Sequence, residues 1–338
     1  MLAESNGALV DAHDLIALDL DGVVYIGHEA VPHAASSLAE AREAGTRVAF
    51  VTNNASRTPD AVAAHLRSLG VESGPDDVVT SAQAAATLLR ERLPQGSSVY
   101  LIGGEGLEVA LREVGLEPLV DADAGVDAVV QGYGPDMPWR RVVAGAILVR
   151  SGHYWVASNM DRTIPTGLGV GPGNGALVEL VARFSGRTPV VAGKPEPPLL
   201  HEVERRTSAK RPLFVGDRLD TDMAGAFNVG WPSLLVRTGV TTLRDLVAAR
   251  PEERPTYIAA DLHGLHVAHA RPEHVGDAWV LGGWRASVGE DDALVVEGRG
   301  SDDDWWRVAA SAAWVHRDRP ERDPRNTVVH VDDIRAPR

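Results

Sequence analysis

Residues 15–24 form an apolar stretch broken by acids at Asp19 and Asp21 and closed by Gly22-Val23-Val24. Continuous apolar runs of this length read as strands buried on both faces of a parallel sheet. If the strand continues through the acids, period-2 geometry sets both side chains on one side. They then sit at the strand's C-terminal end, where open α/β sheets gather their ligands. Two further runs repeat the pattern: residues 48–51 lead into Thr52-Asn53-Asn54, and residues 212–215 lead into Gly216-Asp217. Helical periodicity lies between them. It predicts a helix over 32–44 ended by Gly45, and another over 59–69 with Thr58 as N-cap, Pro59 at the first position and Gly70 past the end. Such alternation implies a parallel sheet with helices on both faces.

The stretch from Thr52 to Lys194 is far too long for a connection inside a compact domain. It carries its own alternation: strands at 98–103, 128–132 and 154–158, and helices at 105–114, 139–151 and 175–184. This predicts an α/β domain at 82–188, inserted into a core made of 11–81 and 189–261. Beyond 261 the pattern changes. Residues 279–288 and 293–297 read as strands, and 302–315 as a helix capped by Ser301 with Asp304 at its third position. Charged residues 317–325 and a short strand at 327–331 follow. Residues 262–338 are therefore expected to be a small β-β-α-β appendage. The fold class is α/β: a Rossmann-like core with a parallel sheet, an inserted α/β domain and an α+β appendage.

Composition narrows the chemistry. The 338 residues include no cysteine, which excludes disulfides, thiolate nucleophiles and zinc–cysteine sites and suits a reducing cytoplasm. No apolar run approaches the roughly 20 residues of a membrane span, and the N-terminus lacks the basic and apolar regions of a secretory signal. A formal net charge of −14 repels nucleic acid and anionic membranes. Any phosphate pocket then needs local positive charge. Only Lys194 and Lys210 are lysines among 33 basic side chains. A compact ammonium fits among carboxylates and phosphate where a forked guanidinium does not, so Lys194 is the candidate. Lys210, in a polar stretch before a strand, reads as surface.

Paired carboxylates at a buried strand tip are costly without a cation. The order Asp19-x-Asp21-Gly22, Thr52-Asn53-Asn54, Lys194, then Gly216-Asp217 with Thr221-Asp222 resembles the four motifs of the haloacid dehalogenase (HAD) superfamily over roughly residues 11–260. With an α/β insert between the second and third motifs, the chain is similar to the C2-capped subfamily IIA of p-nitrophenyl phosphatases and phosphoglycolate phosphatases. Leu101–Leu107 and Gly171–Leu177 are the supporting cap segments. The resemblance implies an Mg²⁺-dependent phosphatase with Asp19 as nucleophile, forming an aspartyl-phosphate, and Asp21 as acid and base. Asp19, the Asp21 carbonyl and Asp217 would hold the metal, with Asp222 in the same metal site. Asp222 would orient Lys194 or a metal-bound water. Lys194 would offset charge, and Thr52, Asn53 and Asn54 would hold phosphoryl oxygens, with Arg162 as a candidate for extra positive charge. The implied substrate is a small phosphomonoester, glycerol 3-phosphate first and 2-phosphoglycolate second, with pyridoxal phosphate and nucleotides also in the branch. Phosphotransfer to a second substrate is the rival reaction, and a binding or assembly role of 262–338 the rival class. A homodimer through the cap is a further expectation.

Other motifs carry less. Gly104-x-Gly106 reads as a tight βα turn, and Gly167 to Gly175 as a cap loop or a substrate-facing one. His263, His266 and His269 match no metal-ligand spacing. Asp302-Asp303-Asp304 complements a helix N-terminus, and Trp305 and Trp306 read as core or interface.

Overall fold

The structure is a computed structural model describing residues 1–122, 125–166, 168–320 and 327–331. The described chain divides into two compact units, residues 1–48 with 209–338, and residues 49–208. The chain passes from one to the other within the Arg47–Thr52 strand.

In the first unit four parallel strands lie in the order Tyr257–Ala259, Ser233–Val236, Pro212–Gly216, Leu15–Leu18. All four residues of Leu15–Leu18 are buried, as the apolar run predicted. The strand ends before the acids, not after them. The chain turns at Gly22, whose N–H donates to the Tyr25 carbonyl, and a two-stranded ribbon of Tyr25–Ile26 and Glu29–Ala30 follows. The predicted helix at 32–44 forms as Ala34–Glu43.

The appendage differs from the expected β-β-α-β order. Four antiparallel strands, Glu273–Val275, Ala278–Leu281, Trp284–Val288 and Leu294–Gly298, form a meander, followed by the helix Asp302–Arg317. The single strand expected over 279–288 is two strands, because Gly282 and Gly283 both take positive φ (58° and 87°), as a two-residue hairpin of the primed type requires. Ser301 caps the helix, its hydroxyl accepting from the Asp304 N–H. At 327–331 only His330 bridges, to Ala293. The charged segment 317–325 lies outside the described residues from 321 onward. Trp305, Trp306, Val308, Ala312 and Trp314 pack with Leu235, Leu243, Leu246 and Ile258 in one hydrophobic cluster, so the appendage shares its core with the parallel-sheet layer.

In the second unit Arg47–Thr52 pairs in parallel with Val78–Thr80 through Phe50, Val51 and Thr52. A separate five-stranded parallel sheet has the order Val190–Val191, Tyr154–Ala157, Ala128–Gln131, Ser98–Ile102, Glu117–Leu119. Its helices form at Glu105–Glu113, Trp139–Arg150 and Asn174–Ser185. The glycine-rich segment is a hairpin of Thr163–Thr166 and Gly169–Pro172; Gly167 lies outside the described residues. Among the described residues no helix is long and apolar enough to cross a membrane.

Candidate active site

Leu18 pairs with Val215, so the chain leaves two neighbouring strand ends at Asp19 and at Gly216-Asp217. This register, set by two buried apolar runs, brings carboxylates together. Asp19, Asp217 and Asp222 each offer an oxygen, all within 4.8 Å of one another. Asp222 comes from the single π turn Leu219–Met223, and its Oδ2 accepts the backbone N–H groups of Asp217 (3.2 Å) and Arg218 (3.1 Å). Asp217 Oδ2 accepts the Val240 N–H at 2.8 Å, the Thr241 hydroxyl donates to the Asp217 carbonyl, and the Thr238 hydroxyl donates to the Gly22 carbonyl. A Cβ on Gly22 (φ 82°) would stand 2.5 Å from Asp217 Oδ2, and one on Gly239 would be closer still. Only glycine leaves the carboxylate room at these two positions.

Asp217 is 1% exposed, and its Oδ1 is buried with no hydrogen-bond partner. Its pKa is pushed up to about 8, first by burial, then by the negative charges of Asp222 and Asp19. A buried carboxylate with an unpartnered oxygen beside two others is unfavourable alone and favourable around a cation. The donors are hard oxygens, which suit Mg²⁺. The residues present therefore fit the metal that the motifs imply. Among the described residues this is the one cluster of three or more acidic or histidine ligands. The Asp21 carboxylate is not part of it. Asp21 is exposed and bridges to Tyr25, because the strand ends at Leu18 and the turn at Gly22 carries Asp21 outward.

The remaining motif residues assemble within the second unit. Thr52, Asn53 and Lys194 are buried, Lys194 only 2% exposed. Asn53 Oδ1 accepts the Lys194 N–H (2.8 Å), and its Nδ2 donates to the Lys194 carbonyl (3.0 Å). Lys194 Nζ donates to the Val51 carbonyl at 3.4 Å. Asn54 turns away from this pair: its N–H donates to Thr52 Oγ1, and its Oδ1 accepts from the N–H and hydroxyl of Ser56. Arg162 is not in this group. Its side chain is 82% exposed and pairs with Glu179 at 3.2 Å. Its neighbour Asp161 does reach the group, accepting from Asn53 Nδ2 at 3.0 Å.

Asp161, Asn159 and the 238–241 loop lie outside the motifs legible in the sequence. The loop had a usable signal, since Val236-Arg237-Thr238-Gly239 ends a buried strand in hydroxyl and glycine, like the other motifs. Asp161 and Asn159 follow the Tyr154–Ala157 strand, but nothing local ties them to a segment more than a hundred residues away. Lys210 is exposed, as expected. His266 and His269 bond to the carbonyls of Ser37 and Gly264. An apolar groove of about 1060 Å³ runs between the helices Trp139–Arg150 and Asn174–Ser185, and none of its lining residues belongs to either cluster.

Comparison with known proteins gives a consistent picture. The haloacid dehalogenase-like hydrolase profile matches residues 16–117, and a HAD-hydrolase-like profile matches residues 191–265. The D-glycerol 3-phosphate phosphatase of Mycobacterium tuberculosis is 41% identical over 324 residues, 92% of this chain and 88% of that protein. The acid sugar phosphatase of Staphylococcus aureus is 36% identical over 248 residues, 73% of this chain and 94% of its own length. The crystal structure of the Mycobacterium tuberculosis glycerol phosphate phosphatase in complex with magnesium superposes with a TM-score of 0.83 at 41% identity, covering 91% of this chain and 92% of that one.

Proposed function

The chain belongs to the haloacid dehalogenase-like hydrolases, and on that premise we propose that it is an Mg²⁺-dependent phosphatase of small phosphomonoesters whose preferred substrate is glycerol 3-phosphate. The observation that carries the reaction class is the Asp19–Asp217–Asp222 cluster, with Asp217 and Asp222 buried and one Asp217 oxygen unpartnered. The choice of substrate is supported by the similarity to a D-glycerol 3-phosphate phosphatase over most of both chains. The limits 82–188 for a cap and 11–81 with 189–261 for a core belong to the same proposal.

In this reading an Asp19 oxygen attacks phosphorus, a new O–P bond forms, and the bond from phosphorus to the leaving oxygen breaks. Asp21 gives its proton to the departing alkoxide, then takes one from the water that attacks the aspartyl-phosphate. Its exposure suits a group that must exchange protons with solvent. Asp19, Asp217 and the Asp21 carbonyl would hold Mg²⁺, with Asp222 fixing the loop that presents Asp217. Bound there, the ion would offset repulsion between the carboxylates and phosphate. Thr52 and the Asn53 backbone N–H would hold phosphoryl oxygens, and Lys194 would supply the ammonium. Two copies pairing through the cap is supported by the exposed Trp139, Ile147 and Phe184 on two neighbouring helices. Sedimentation of Trp139→Glu beside wild type checks it, with a smaller particle expected for the variant.

The test is phosphate release from a panel of glycerol 3-phosphate, 2-phosphoglycolate, pyridoxal phosphate, a nucleotide and p-nitrophenyl phosphate, with Mg²⁺ and with EDTA. Release that requires Mg²⁺, is fastest with glycerol 3-phosphate, and falls about a thousandfold or more in Asp19→Asn is expected. No release from any ester by folded, Mg²⁺-loaded protein would overturn the reading.

A further inference from the structure

Both amide protons of Asn53 are already committed within the protein. Its Oδ1 accepts from a backbone N–H, that of Lys194, which can only donate. That bond settles which end of the amide is which. Nδ2 then faces two acceptors, the Lys194 carbonyl and Asp161 Oδ1, both at 3.0 Å. Two protons meet two acceptors, and neither is left for a phosphoryl oxygen. The side chain instead grips the Lys194 peptide on both sides.

The grip has its own support. Asn159 Oδ1 accepts the Asp161 N–H at 3.2 Å, which orients that amide in turn, and Asn159 Nδ2 donates to the Asn53 carbonyl at 2.6 Å. Asn174, at the start of its helix, donates to the Asn159 carbonyl at 2.8 Å. Ser81 donates to the Asn53 carbonyl from the first turn of another helix. The contact is close: a Cβ on Gly193 would stand 2.6 Å from both Asn53 Oδ1 and the Ser158 carbonyl. The Asn53–Asp161 bond has an acid as its acceptor, so it is stronger than a bond between neutral groups. Partly buried networks rigidify what they hold, and here both amide protons of Asn53 and its side-chain oxygen are satisfied.

We propose that Asp161 and Asn159 are positioning residues that act through Asn53 on Lys194, and that Asn53 serves as the clamp on the lysine rather than as a side-chain ligand of the phosphate. This rests on the phosphatase reading given above. A misplaced ammonium lowers the rate of phosphoryl transfer whatever alcohol is leaving, because the chemistry depends on where the charge sits.

Two readouts test it. Asp161→Ala should lower kcat about tenfold or more with glycerol 3-phosphate and with p-nitrophenyl phosphate alike, while KM stays within about twofold. Asp161→Asn, whose Oδ1 can still accept from Asn53, should recover most of the loss. Asn159→Ser should show the same split between kcat and KM, and stands in if Asp161→Ala does not fold. An unchanged kcat, or a loss confined to glycerol 3-phosphate, would overturn the proposal; the latter would place Asp161 against the substrate's alcohol. The second readout is independent of turnover. The chain has only two lysines, so protein labelled with ¹³Cε-lysine gives two side-chain signals, assigned with Lys210→Arg. Asp161→Ala should move the Lys194 signal and leave Lys210 in place; a stationary Lys194 signal would overturn the proposal. If wild type hydrolyses none of the panel, the phosphatase reading fails by itself, and the lysine signal alone decides whether the clamp exists.

Discussion

Asp217 is held from three directions: the Val240 N–H on one oxygen, the Thr241 hydroxyl on its carbonyl, and Asp222 on its backbone N–H. The second oxygen is buried with no hydrogen-bond partner, and an oxygen of this carboxylate lies within 4.8 Å of ones from Asp19 and Asp222. Asp217→Asn keeps the shape and removes the charge. Wild type should gain thermal stability with Mg²⁺, about 2.7 kcal/mol at a hundredfold excess over Kd, and Asp217→Asn should gain little. An equal rise in both proteins, measured by calorimetry, would remove Asp217 from the metal site. Asp19, Asp217 and Lys194 were legible because each follows or sits within a local pattern: an apolar run, a strand end, one of only two lysines. Asp161 was not, because its role is a hydrogen bond to Asn53, 108 positions away.

The C-terminal helix Asp302–Arg317 shows what an element adds beyond its own pattern. Its apolar stripe and cap were readable, and Trp305 and Trp306 are buried as expected. Unreadable was the surface it covers. Trp314 is fully buried, and its Nε1–H donates to the Leu246 carbonyl at 2.7 Å. Trp314→Ala should cost about 3–5 kcal/mol by urea unfolding, since the cavity and the unpartnered carbonyl add. Arg307 on the same helix donates to the Ile258 carbonyl and to Nδ1 of the buried His269, whose Nε2 faces the Gly264 carbonyl. Nδ1 is thus the acceptor and the ring is neutral. Burial lowers the His269 pKa; the Arg307 charge lowers it further, against the Gly264 carbonyl and Asp303, with the Tyr257 ring 5.0 Å away. The folded pKa lies below the unfolded one, so the associated stability is present above about pH 6.5 and is lost as pH falls. Between pH 7.5 and 5.5 wild type should lose more stability than His269→Gln; equal losses would show that His269 carries no such term.

For the whole molecule, the appendage matters most to the stability of the first unit. Its helix and the parallel-sheet layer share one hydrophobic cluster, and Arg237–Asp303 and Arg254–Asp318 tie the same layers by ion pairs. A chain ending at residue 261 would expose Leu235, Leu243, Leu246 and Ile258. It should therefore be recovered as aggregate or unfolded chain, as seen by circular dichroism and light scattering. A folded, fully active product would instead make the appendage a dispensable module for partners. The amino-acid sequence by itself determined the α/β class, the strands that end in acids and hydroxyls, most of the helices and the order of the four motifs. Each of those is a local matter of hydrophobic period, capping and turn chemistry, complete within a few residues. Only the tertiary structure decided that Asp21 turns outward, that Arg162 stays on the surface, that Asp161 grips Asn53, and that the C-terminal helix closes the core of the first unit. The grip of Asp161 on Asn53 and the closure of the core by the helix are contacts between distant segments, which no short-range pattern encodes; Asp21 and Arg162 depend on where a strand stops and which surface the fold leaves open.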